Sequence, residues 1–183
     1  GLSEKQTAWV HILVCEHEQR RSRQAESDAN ARTLPQVRAM LDEAGESLQI
    51  PKVNLQTASG QRVRLSRAGD RARTPGVINI TDGKPFGENV WYGRIALDGK
   101  LHESRHMTEE VRAVLLALDA DHEAVISAYG HNTGSCSFCS RTLTDGRSVA
   151  MGYGPICAEN YGLPWGDERA SSAVEVHADE VEA

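Results

Sequence analysis

Three of the chain's four cysteines fall within residues 136–157, in the stretch CSFCSRTLTDGRSVAMGYGPIC. Cys136 and Cys139 are separated by two residues, so both sulfurs can reach one ion, the usual knuckle of a structural zinc site. Cys157 follows a Gly-Pro pair and opens ICAENYG, which reads as the first turn of a short helix. Backbone amides and the helix dipole favour a thiolate there. Three cysteines crowded into one segment fit a metal better than a disulfide framework. Two bland readings compete. Neighbouring cysteines can be small buried hydrophobes, or a Cys-x-x-Cys can be a redox pair, although the strand-to-helix context of a thioredoxin-like motif is absent. A zinc nucleobase deaminase would need His-x-Glu and Pro-Cys-x-x-Cys. The chain has no His-x-Glu, and Ser135 precedes Cys136.

Zinc with Cys136, Cys139 and Cys157 lacks one ligand, because structural zinc is nearly always four-coordinate. His131, five residues before the knuckle, is the first choice. Asp145, Glu159, Cys15 and a water are the alternatives. Asn160 stands one helical turn after Cys157, where such fingers often carry their last ligand, and is a poor one. Thr144-Asp145-Gly146 reads as a turn, making the insert a hairpin. Knuckle, hairpin and a ligand on a helix describe a treble-clef-like zinc module.

A second group of residues could grip phosphate. Arg62, Arg64, Arg67, Arg71 and Arg73 face a single acid, Asp70, between residues 61 and 76. Guanidiniums bind phosphates bidentately, which would suit DNA or RNA; an equally open use of such charge is to keep a strand edge from pairing with other chains. The other histidines have no ligand partner at suitable spacing. No phosphate loop, nucleophile elbow or paired-carboxylate pattern appears, so an enzyme is not expected.

The elements that must position these residues are an α+β set. Ser3 to Gln6 reads as a capping box ahead of a stripe formed by Trp9, Ile12 and Leu13, and Thr33 to Gln36 as a second one ahead of Val37, Met40, Leu41, Ala44 and Leu48. Between Pro51 and about His102 the period changes to two. Val53, Leu55 and Thr57, a Ser59-Gly60 turn, then Val63 and Leu65 predict a hairpin. Ile78 and Ile80 predict a third strand, and Val90 to Leu97 a fourth. Thr108 caps another helix, and Asp119 or Asp121 starts one ending near Tyr129-Gly130. The expected organisation is helical over 1–50, a small α+β domain over 51–130, a zinc-finger-like module over 131–166, and a disordered acidic tail over 167–183. Six acids against Arg169 give that tail a net −5, which leaves about −1 of the total −6 for the body. A near-neutral body does not exclude nucleic acid as a partner. No apolar run approaches the roughly 20 residues of a membrane helix, and the N-terminus lacks the order of a signal peptide. A cytoplasmic protein without a membrane partner is therefore expected.

The order C-x-x-C-x-R-x-L-T-D, then Ser148, then Gly-Tyr-Gly-Pro-x-Cys resembles an uncharacterised family of zinc-finger-like modules encoded mainly by bacteriophages and by some bacteria. These modules lie near the ends of small phage proteins or are appended to helicase-like proteins. The resemblance covers about Tyr129 to Trp165, and the stretches YGRIALDGK and Asp119 to Gly134 look similar to the longer phage versions. It implies a zinc module of phage origin and no activity. The expected function is that of a phage-derived accessory protein binding nucleic acid. The alternative is an adaptor or inhibitor that engages a host or phage protein.

Overall fold

A computed structural model describes residues 14–19 and 32–166 of the chain, which divides into residues 1–33 and the unit that begins at Leu34. In the first unit residues 14–19 are helical and exposed. The expected Ser3 cap, the stripe of Trp9, Ile12 and Leu13, and the acidic tail lie outside the described residues.

The second unit opens with α1 (Pro35–Ser47), whose buried Val37, Met40, Leu41 and Ala44 lie on one helical face. Thr33 does not cap it. The N-cap is Leu34, fully buried and without a side-chain cap bond. Its amide donates to the Gly99 carbonyl at 2.9 Å, which draws the chain inward by one residue. The first-turn amide of Val37 is satisfied from a distance, by the Asp119 carboxylate at 2.9 Å. That side chain supplies what a local cap would have supplied.

The period-two region forms a five-stranded antiparallel sheet in sequence order: β1 (Lys52–Gln56), β2 (Arg62–Arg67), β3 (Ile78–Thr81), β4 (Trp91–Ile95) and β5 (Leu101–Glu103). Val53 faces Leu65, and Leu55 faces Val63, which places the apolar residues of the first hairpin on the core face. The fifth strand was not expected. It follows a tight turn in which Ala96 N–H donates to Lys100 O at 2.9 Å. Only Gly fits at residue 93: φ is 152°, and a Cβ there would lie 2.3 Å from the His102 carbonyl oxygen of that strand.

Two helices complete the frame. In α2 (Glu109–Ala120) the Thr108 hydroxyl accepts from Val111 N–H, and in α3 (His122–Thr133) the Asp121 carboxylate accepts from Ala124 N–H. Thr108 is the cap expected from sequence, and Asp121 is one of the two residues, with Asp119, expected to start the second helix. The second helix runs a turn beyond Gly130 and stops at Gly134 in the left-handed region. One core joins α1, the sheet and the helices to Cys136, Phe138, Tyr153 and Tyr161 of the cysteine segment. None of the described helices is long and apolar enough to cross a membrane.

Candidate metal centre

The cysteine segment begins where α3 meets its neighbours at backbone contact. A Cβ on Gly130 would sit 2.0 Å from the Gly152 carbonyl oxygen, and one on Gly152 would sit 2.5 Å from the Ser127 carbonyl oxygen. Glycine at both positions lets the segment fold back against the helix. The chain then turns sharply. Leu143 N–H donates to Gly134 O, Cys136 N–H to Arg141 O and Ser140 N–H to Cys136 O, all at 2.9 Å. These bonds hold residues 136–140 as a tight knuckle on a short ladder with a Ser135–Thr142 bridge.

The insert is not the expected hairpin. Asp145 accepts from Ser148 N–H and opens α4 (Gly146–Met151), which ends at Gly152 with φ at 80°. Asp is favoured both in turns and as an N-cap, because its short side chain bonds nearby backbone amides. Here the cap wins. The last element, α5 (Pro155–Asn160), starts at Gly154 with proline in its first turn, and this puts Cys157 at the expected place in that turn.

The three sulfurs of Cys136, Cys139 and Cys157 all lie within 4.8 Å of one another. Cys136 is buried, Cys157 half-buried and Cys139 exposed. A hydrogen bond from the Cys157 thiol, opposed by burial, and bonds from the backbone amides of Cys139, Gly154 and Phe138 pull Cys136 well below the ordinary thiol range. Cys157 is driven the other way. It donates to Cys136, is desolvated, and faces the negative charge of Cys136 and Cys139. Sulfurs this close cannot all be anionic without a cation between them, and the three together could hold a thiophilic metal ion.

The segment is fastened to the free edge of the sheet. Phe138 stacks on Tyr161 with ring centroids 3.9 Å apart, and the Tyr161 hydroxyl accepts from Lys52 N–H at 2.8 Å while donating to Lys52 O at 2.9 Å. Burial first, then the charges of the nearby cysteines, push this phenol up to about 12, so it stays a donor. One rung further along, Asn54 N–H and Asn54 Nδ2 both donate to Ser137 O at 2.7 Å. Edge strand β1 is thereby covered rather than left to pair with another chain.

Arginines of the basic stretch take different positions. Arg64 Nε donates to Asn54 Oδ1 at 2.7 Å and its Nη1 to Gly83 O at 3.1 Å. An Arg can only donate and a carbonyl only accept, so the Asn54 amide orientation is fixed from both sides. Arg67 pairs with Asp42 of α1 at 2.8 Å. Arg62, Arg71 and Arg73 are exposed. Arg62 begins β2, while Arg71 and Arg73 lie in the loop that joins β2 to β3. Of the five expected phosphate ligands, Arg64 and Arg67 thus have partners within the fold, and Arg62, Arg71 and Arg73 stand at the surface.

Because α3 continues through Thr133, His131 sits in its last turn and its Nε2 donates to Ala150 O at 2.7 Å. It ties α3 to α4 and is not part of the sulfur group. Sequence reasoning missed Asn54 and Tyr161. Asn54 had no signal beyond being a polar residue in an alternating strand, whereas Tyr161 shares ICAENYG with Cys157 and could have been noticed there.

No curated protein and no solved structure matches the chain. Residues 126–162, from the middle of α3 to just past the end of α5, match a family of unknown function, DUF6011. Over this segment, which contains all three clustered cysteines and both contacting glycines, the chain is similar to that family.

Proposed function

We propose that the chain is a non-catalytic binding protein in which zinc, held by Cys136, Cys139 and Cys157, locks residues 126–162 onto the sheet to present a surface to a protein partner. The observation that carries this reading is the convergence of three sulfurs from two elements, with Tyr161 of the second element bonded to the edge strand. Zinc is the metal that a thiolate group on a knuckle and a helix start suits best. Its task is to cross-link the two elements, a contribution that can dominate folding in small metal modules.

A protein partner is favoured over nucleic acid because Arg64 and Arg67 are engaged inside the fold, while Ile50 and Ile156 stand 61% and 67% exposed around the same cavity. The resemblance to phage-encoded modules supports an accessory protein of phage origin acting in the host cytoplasm. Nucleic acid remains the second reading, carried by the exposed Arg62, Arg71 and Arg73.

One comparison tests both. The zinc-loaded protein is assayed against single-stranded DNA, duplex DNA and RNA over a salt series, beside a triple variant Arg62→Ala, Arg71→Ala, Arg73→Ala. The protein-partner reading expects no salt-dependent affinity in either protein. Binding that falls steeply with salt, and is lost in the triple variant, would establish the nucleic-acid reading instead.

A further inference from the structure

Zinc bound as proposed is one donor short, and the inference that follows rests on that reading. Zinc takes four donors, and Cys136, Cys139 and Cys157 supply three. No other His, Cys, Asp or Glu among the described residues joins them. His131 is bonded to Ala150. Asp145 lines the same cavity as the cysteines, but its carboxylate accepts from Ser148 N–H at 3.0 Å as the cap of α4. Asn160 also lines it, and an amide is a weak zinc donor.

Closed structural sites bury the metal behind their own side chains. Here the sulfurs instead border an open cavity of about 570 Å³. Its wall carries Leu143, Pro155 and the exposed Ile50 and Ile156, with Lys52 and Arg141 beside them. Charge selects the kind of donor that fits. Zinc with three thiolates carries −1. A fourth thiolate or a carboxylate would raise this to −2 in a cavity whose lining is mostly apolar, whereas a neutral imidazole leaves it unchanged. Imidazole is also a good ligand for a borderline-soft ion. We propose that the fourth position of the metal is exchangeable and takes a neutral imidazole presented from outside the chain, with apolar neighbours of that imidazole packing on Ile50 and Ile156.

The imidazole can belong to a histidine on a partner protein or to a free small molecule, and the test separates these. Cobalt(II) replaces zinc in the full chain, because its sulfur-to-metal charge-transfer and visible bands report the donor set. The protein is titrated with free imidazole and with a short peptide carrying one histidine between two leucines. The expected result is a three-thiolate spectrum whose visible bands shift and saturate with both probes. The peptide should bind about tenfold tighter, the gain from burying roughly 60 Å² of apolar surface. The double variant Ile50→Asp, Ile156→Asp should lose that advantage and keep the response to free imidazole. Equal affinity for the two probes would support the exchangeable position, assign it to free imidazoles and overturn the apolar contact. A cobalt spectrum that neither probe moves would overturn the proposal, since a side chain of the protein then fills the position. Failure to bind cobalt at all is a different result: it would overturn the zinc reading itself, and this inference with it.

Discussion

Replacing Asn54 with Ala should weaken the fold and the metal centre together, although the hydrogen bonds of its side chain go to Ser137, Ser140 and Arg64 rather than to a cysteine. Asn54 is 1% exposed. Its Nδ2 reaches Ser137 O at 2.7 Å and Ser140 Oγ at 3.3 Å, and its Oδ1 receives Arg64 Nε at 2.7 Å. The variant keeps the backbone bond from residue 54 to Ser137 and loses these three. A neutral bond contributes about 1 kcal/mol net, and one to a charged group about 1.5–3 kcal/mol. The long 3.3 Å contact is the weakest, and Arg64 retains Gly83 O, so the total is about 3 kcal/mol. At about 2–4 °C per kcal/mol for a chain of this size, the melting temperature should fall by roughly 10 °C. Ser137 stands between Cys136 and Cys139, so loosening its carbonyl should also raise the zinc dissociation constant, by about 10-fold, the lower end for partners that orient metal ligands. Thermal unfolding followed by circular dichroism gives the first number, and competition with a chromogenic chelator gives the second. Asn54→Asp sharpens the test: it keeps the bond from Arg64 but offers Ser137 O no donor, so it should recover part of the stability and none of the zinc affinity. A loss under about 2 °C in Asn54→Ala, with zinc affinity unchanged, would refute the claim that β1 supports the knuckle.

Other substitutions probe neighbouring links. Tyr161→Phe removes both bonds to Lys52 while keeping the stack on Phe138, and should cost about 1–3 kcal/mol in chemical denaturation. Gly130→Ala or Gly152→Ala puts a methyl group into opposing backbone; each should cost more than about 3 kcal/mol and lower the folded yield, and a stable, zinc-bound variant of either would contradict the packing described for α3 and α4. His131→Ala should keep its zinc, measured by elemental analysis, whereas Cys136→Ser, Cys139→Ser and Cys157→Ser should each lose most of it.

Much of this arrangement could be read from residue patterns because the signals were local. Alternation in KVNLQ and RVRLSR, the caps at Thr108 and Asp121, and proline ahead of Cys157 each act within a few residues of themselves. What escaped depended on distant partners. Leu34 became an N-cap because Gly99 and Asp119 meet the chain there. Arg64 was placed off the apolar face of β2, but that face is not simply solvent, since Asn54 of β1 receives its Nε; Arg67, expected in the following loop, instead ends β2 and meets Asp42 of α1. The six residues of α4 are too few to show a helical period, and Thr-Asp-Gly serves a turn or a cap equally well. His131 was chosen for its chemistry and its place five residues before the knuckle; its bond to Ala150 depends on α4, which that spacing does not reveal.

Zinc-edge X-ray absorption, with elemental analysis of the same purified protein, tests the central claim most directly. The predicted result is one zinc per chain, with a shell of three sulfurs at about 2.3 Å and one lighter donor at about 2.0–2.2 Å. A protein without metal, whose three clustered thiols react freely, would contradict it.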